Sequence, residues 1–358
     1  MRLLPLSLML LAELASAQVP TLTIDRPRID LSRHESAYFK LDAAKDGQGF
    51  LRIFGPDWRQ AKEIELPAFI ANQPLSISWN GTDDSGAQVP DEAYFVVLDV
   101  VDTLGKAHQS NPIAKPSEQV VVEDLVYDSL KKVIEFRLER AARVTLHAGI
   151  GNGGPLLKTF FSGKPLPKGE HVLAWDGWDD GQTLNIATSQ NFKLFAHAES
   201  LWEPSVIITG SPQKTFSSYR RETPSRFSIP IPSATRVGGL QENLPKPHDY
   251  TPEPRFSLRV ESDEIEKTLP VVRGDVELQV VLDESIRIPI LERRFEIILF
   301  QDLEFVAEVE EGRSPALVSW DSRTVPDGPH VLTVNVATLP GQMSAASTRV
   351  WVDNDAAE

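Results

Sequence analysis

Trp79-Asn80-Gly81-Thr82-Asp83-Asp84-Ser85-Gly86, continued by Ala87-Gln88-Val89-Pro90-Asp91-Glu92-Ala93-Tyr94, is the stretch that decides the fold. A short apolar strand, Leu75-Ser76-Ile77-Ser78, leads into the tryptophan, a polar turn follows, and an alternating strand returns from Tyr94. The pattern recurs at Trp175-Asp176-Gly177-Trp178-Asp179-Asp180-Gly181 after Val172-Leu173-Ala174. It recurs again at Trp320-Asp321, with Val325-Pro326-Asp327-Gly328, after Ala316-Leu317-Val318-Ser319. The tryptophans are 96 and 145 residues apart. Repetition at about a hundred residues indicates tandem domains, because solenoid repeats are only about 20–50 residues long.

The chemistry of the corner supports that reading. A tryptophan ending a core strand can bury its ring between two sheets while its N–H finds a carbonyl. Asp or Asn followed by Gly makes a tight turn, the carboxylate or amide bonding nearby backbone N–H groups and Gly supplying positive φ. Trp79, Asp83 and Gly86, then Trp175, Asp176 and Gly177, then Trp320, Asp321 and Gly328 are therefore expected to be structural turn residues.

Outward from the corners, runs of four to eight β-branched and aromatic residues recur about every ten positions between Gly, Pro, Asp and Asn. That spacing predicts an all-β chain of Ig-like or fibronectin III-like sandwiches. The expected layout is a signal peptide at 1–17, sandwiches at 18–112 and 113–210, a connector at 211–254, a third sandwich at 255–354 and a tail at 355–358. In the second unit Val133, Glu135, Arg137 and Glu139 should share one strand face and Ile134, Phe136 and Leu138 the other.

The connector differs in character, with eight prolines and six Lys/Arg against four acids in its 44 residues. Such composition is extended and donor-poor. A spacer is the plainest reading, but its aromatics predict that Phe227-Ser228-Ile229-Pro230-Ile231-Pro232 lies against a sandwich while the remainder stays mobile. Trypsin should then cut first near Arg220, Arg221 or Lys246, and more slowly at Arg226.

The 358 residues carry a net charge of −15 and no cysteine. Dispersed acidity argues against nucleic acid, which demands concentrated Lys/Arg. Without cysteine there are no disulfides and no thiolate metal sites, so packing alone must stabilise each domain. The N-terminus has Arg2, an apolar run from Leu3 to Ala12, and Ala15-Ser16-Ala17 as a small-x-small cleavage site, the form of an export signal. Nothing later reaches the roughly 20 apolar residues of a membrane span. A periplasmic or extracellular, cell-surface location is expected.

The residues from Trp79 to Gly86, followed by Val89-Pro90-Asp91 and Tyr94, closely resemble the Ig-like domain of the flagellar hook-capping protein family, whose pattern is W-D-G-x-D-x-x-G and then V-P-x-G-x-Y. Glu92 stands where that pattern has glycine. The second copy keeps Trp175-Asp176-Gly177 and Asp179-Asp180-Gly181 but not the second half, and the third resembles generic bacterial Ig-like domains. The resemblance implies a structural or interaction module. It does not imply a flagellar role, since similar domains are appended to many exported bacterial proteins.

Gly149-Ile150-Gly151-Asn152-Gly153-Gly154 fits G-x-G-x-x-G, but a dinucleotide site needs a helix directly afterwards. Pro155 and then Pro165 and Pro167 make a hairpin loop the better reading. Asp83/Asp84 and Asp176/Asp179/Asp180 lack the calcium-loop form. The seven histidines form no zinc signature, and no nucleophile elbow or Walker loop occurs. No catalytic, cofactor or metal site is therefore assigned. Trp58, Trp178 and Trp202 are candidates for sugar stacking, with Trp178 foremost because it lies inside a turn. The sequence thus reads as an exported non-catalytic protein docking a partner protein or envelope assembly. Carbohydrate or surface-polymer binding is the alternative, and an enzyme with a dispersed site ranks third.

Overall fold

Alternation along each strand fixes which side chains meet. In the computed structural model, which describes residues 20–114, 117–212, 215–222, 253–262, 264–291, 294–339 and 341–355, almost every regular segment is a strand. The first sandwich contains β1 (Thr21–Ile24), β2 (Arg28–Asp30), β3 (Ala37–Asp42), β4 (Gly47–Phe54), β5 (Gln60–Phe69), β6 (Leu75–Trp79), β7 (Ala93–Asp102) and β8 (Ala107–Ser110). One sheet runs β1-β3-β6 and the other contains β7-β4-β5, with β8 on β7. In β3, Ala37, Phe39 and Leu41 turn inward beside Trp79 of the same sheet to meet Leu51, Ile53, Tyr94 and Val96 across the core.

The second sandwich has β9 (Val122–Asp128), β10 (Val133–Leu138), β11 (Ala142–Ile150), β12 (Leu156–Leu166), β13 (Gly169–Ala174) and β14 (Phe192–Ser200), in sheets β13-β10-β9 and β12-β11-β14. Ile134, Phe136 and Leu138 are buried as their alternation predicts. The glycines at 149–154 lie at the β11–β12 turn, where Ile150 N–H donates to Pro155 O at 2.9 Å, and a strand follows where a dinucleotide fold needs a helix.

The expected boundary at 210 does not hold. β15 (Ser205–Thr209) returns to the first sandwich, where it sits between β2, to which it is parallel, and β7, to which it is antiparallel. Its run Val206-Ile207-Ile208 is buried on both faces, Val206 and Ile208 in the main core and Ile207 against Ala93 and Leu201. Continuous apolar strands of this kind belong in sheet interiors. The connector also begins later than 211, because α1 (Phe216–Glu222) packs Phe216 and Tyr219 into that same core. Arg220 donates to Asp57 Oδ1 at 2.7 Å, so it is held against the sandwich and does not fit the expected early trypsin site. The expected signal peptide at 1–17 and the segment Phe227–Pro232 lie outside the described residues.

The third sandwich comprises β16 (Phe256–Val260), β17 (Ile265–Glu266), β18 (Leu269–Val272), β19 (Asp275–Leu282), α2 (Arg287–Leu291), β20 (Phe295–Gln301), β21 (Glu304–Val309), β22 (Ala316–Asp321), β23 (Gly328–Thr338) and β24 (Met343–Val352). Its sheets are β16-β19-β22 and β17-β18-β24-β23-β20-β21.

Specific contacts join the units. Glu92, 4% exposed, meets Arg143 of the second sandwich at 2.7 Å, and Arg143 also donates to Gly163 O. Between the second and third, Asn335 Oδ1 accepts from Leu156 N–H at 2.9 Å while Asn335 Nδ2 donates to Leu156 O at 2.7 Å. The buried amide thus completes the strand's hydrogen bonding as a neighbouring peptide would. Thr159 Oγ1 donates to Met343 O at 3.0 Å beside it.

Candidate functional site

The first two tryptophan corners share one geometry. Trp79 Nε1 donates to Thr82 O, and Trp175 Nε1 to Trp178 O, both at 2.8 Å. The carboxylate four residues after each tryptophan is buried and organises the loop. Asp83 Oδ1 accepts from Ser85 N–H, Ser85 Oγ and Ala87 N–H, and Asp179 Oδ1 from Thr183 and Leu184 N–H. Asp83 Oδ2 takes a further bond from the Tyr219 hydroxyl of α1 at 2.8 Å. Burial pushes the Asp83 carboxyl up, but the bonds from Ser85, Tyr219 and Ala87 outweigh it and hold the group below the ordinary carboxylate range. Gly81 has φ 75°, and a Cβ there would meet Leu31 at 2.5 Å. Gly177 has φ 94°, with Ala187 at 3.0 Å from the same position.

In the second copy the central acid is therefore Asp179. Asp176 is exposed and caps the turn through Trp178 N–H. The third copy is a different turn. Asp321 accepts from Arg323 N–H at the start of a short 3-10 segment, and Trp320 Nε1, buried, has no hydrogen-bond partner. Gly328 opens β23. No corner brings catalytic groups together.

Of the three stacking candidates Trp58 is spent on the interior, whereas Trp202 is half-buried and borders the cleft between the sandwiches. Trp58 is buried with Phe54, Phe95, Val97 and Ile113, and Trp202 packs edge-on against Trp58 and Phe95. The segment Pro56–Arg59 folds back on its own strand, with Gly55 N–H donating to Arg59 O, and that turn carries Trp58 inward. Trp178 is half-buried within its turn.

A cleft of about 530 Å³ opens instead where all three sandwiches meet. Its floor is the outer face of the sheet β12-β11-β14. Cross-strand register sets Arg143 opposite Glu199, Thr145 opposite His197, and His147 opposite Phe195. Phe95 and Trp202 from the first sandwich and Gln342 and Met343 from the third wall it in. Arg143 is held by Glu92, and His197 Nε2 lies 3.3 Å from Glu199 Oε1. Burial holds the His147 pKa down to about 4, so the ring is neutral at physiological pH. Thr159 gives its own proton to Met343 O, so His147 Nδ1 donates to Thr159 Oγ1 at 3.1 Å, leaving Nε2 as an acceptor. None of these residues carries a sequence signature. Only the strand register and the docking of the units assemble them.

Among the described residues, no group of three or more acidic or histidine side chains is placed to hold a metal, and no helix is long and apolar enough to cross a membrane. No family model matches the chain, and no curated protein matches it. Among solved structures it is similar to one from a 1.5-MDa bacterial ice-binding adhesin, described for its retention at the host cell surface. Identity there is 10%, with 94% of this chain and 99% of that chain covered, at a TM-score of 0.20. It is also similar to a tetra-tandem repeat in the extending region of a large adhesion protein. The figures are 12% identity, 93% of this chain, 74% of that chain and a TM-score of 0.20. Superposition this loose identifies no shared activity.

Proposed function

We propose that this chain is an exported, non-catalytic binding protein whose three sandwiches dock an envelope or extracellular structure through the cleft at their junction. The observation that carries the reading is the way the units are locked together. Glu92–Arg143, Asn335–Leu156 and the returning strand β15 hold a preformed cleft of about 530 Å³, within the ordinary size range of ligand sites. The ionisable groups of that cleft are engaged with one another or held neutral, which suits recognition better than proton transfer. The sequence from Trp79 to Tyr94 is what likens the first sandwich to the hook-capping Ig-like domain, and Glu92, standing where that pattern has glycine, pairs with Arg143 of the second sandwich.

Export and binding are tested together. Cells expressing the tagged chain should place it in the periplasmic or surface fraction with its N-terminus at Gln18. Purified mature protein should then cosediment saturably with isolated cell envelopes. Retention in the cytoplasm with Met1 intact, or no saturable sedimentation, would overturn the reading.

A further inference from the structure

We infer that the cleft binds a neutral oligosaccharide, with the apolar face of one sugar ring laid on Phe195. The inference deepens the binding role proposed above and rests on it. Phe195 is 42% exposed on the outward side of β14, a position where alternation ordinarily places a polar residue. An aromatic face held open in front of a cleft is suited to an apolar surface edged with polar groups, because the ring buries large area while its rim leaves the neighbours free to hydrogen-bond.

The polar lining selects among ligands. Arg143 is occupied by Glu92 and Gly163 O, and Glu199 Oε1 lies 3.3 Å from His197 Nε2, so each charged group already has a hydrogen-bond partner within the protein. The remaining chemistry is neutral. His147 Nε2 accepts, and the Thr145 hydroxyl takes Gly163 N–H and keeps its own proton to donate. Ser162 also lines the cleft, and Gln342 lines it from the third sandwich, its Oε1 accepting from Thr338 Oγ1 at 3.0 Å and its Nε2 left to donate. Sugar hydroxyls both donate and accept, and a pyranose presents a flat C–H face, so one ligand satisfies both surfaces.

An extended peptide fits less well. Peptides that add to a sheet bond to a free strand edge. Here the ligand would meet the face of the sheet, where β11 is central and its backbone is paired with β12 on one side and β14 on the other.

The test is an array of neutral and acidic oligosaccharides probed with the mature full-length chain, followed by calorimetric titration of the best binder. Neutral glycans should bind. Phe195→Ala should weaken them about tenfold, the equivalent of one aromatic contact, and Gln342→Ala should also weaken them. Phe305→Ala removes an aromatic that is 57% exposed on the third sandwich and should change nothing. Unchanged thermal melts would show that each variant is folded. No neutral glycan bound, a preference for acidic glycans, or binding indifferent to Phe195→Ala would each overturn the inference. If envelope sedimentation persisted under any of those results, the binding role would stand and the saccharide assignment alone would fall.

Discussion

A single carboxylate decides whether each of the first two corners holds its shape. Asp83 and Asp179 are buried and accept two or more backbone or hydroxyl protons each, whereas Asp176 is exposed. Removing a buried acceptor strands its donors, at a cost of about 2–3 kcal/mol where the acceptor is charged. Asp83→Ala and Asp179→Ala should therefore destabilise by about that amount in urea unfolding, and Asp176→Ala by about 1 kcal/mol or less. Equal losses for Asp176 and Asp179 would show that the exposed cap matters as much as the buried ring of bonds. At His147 the sign runs toward acid sensitivity. The folded chain holds the ring at about 4, below its unfolded value, so between the two the unfolded state binds more protons. Stability is whole above pH 6.5 and falls as pH drops toward 4, by on the order of 3 kcal/mol in total. His147→Gln should flatten that limb of a stability–pH curve. A curve unchanged by the substitution would place the acid sensitivity elsewhere.

At the scale of elements, β15 and α1 make the first sandwich discontinuous in sequence. A fragment of residues 18–112 lacks Val206 and Ile208, and leaves β2 and β7 with an open, apolar edge between them. Such edges favour aggregation. The fragment should therefore express as aggregate or melt without cooperativity, while residues 18–222 should be monomeric and unfold cooperatively. A stable, monomeric 18–112 fragment would mean that β15 is an accessory strand. This is also where the sequence stopped being legible. Alternation is local, so it revealed strands, sandwiches and the inward face of β10 correctly. The corner motif likewise located Trp79, Trp175 and Trp320 in their cores. Strand partnership is not local. Ser205–Thr209 reads equally well as the last strand of the second unit, and only its burial on both faces, implicit in Val206-Ile207-Ile208, hints at an interior place. The helix α1 had a faint signal in Thr215, whose hydroxyl accepts from Ser218 N–H, and in aromatics at i and i+3. The surrounding prolines hid it. The cleft was beyond reach altogether, since its floor needs the β11–β14 register and its walls come from units far apart in the chain.

At the scale of the whole molecule, the question is what makes tandem sandwiches behave as one body. Linked domains with small polar interfaces ordinarily move relative to one another. Here Asn335 sits 2% exposed on β23 and satisfies both peptide groups of Leu156 on β12. A buried amide with both ends bonded fixes register, whereas a purely apolar contact can slide. Asn335→Leu keeps the volume roughly constant but orphans the Leu156 N–H and C=O, each worth about 1–3 kcal/mol when left buried and unpaired. The second and third sandwiches should then part while each stays folded, since neither core includes Asn335. Hydrogen exchange separates these events. The Leu156 amide should lose protection in the variant, while amides inside β11, such as Leu146, keep theirs. Ligand affinity at the cleft should drop with it, because Gln342 and Met343 move away together with the third sandwich. If Leu156 stays protected in Asn335→Leu, the units are joined by the remaining packing of β12 on β23 and β24 and not by this amide, and the cleft should keep its shape without it.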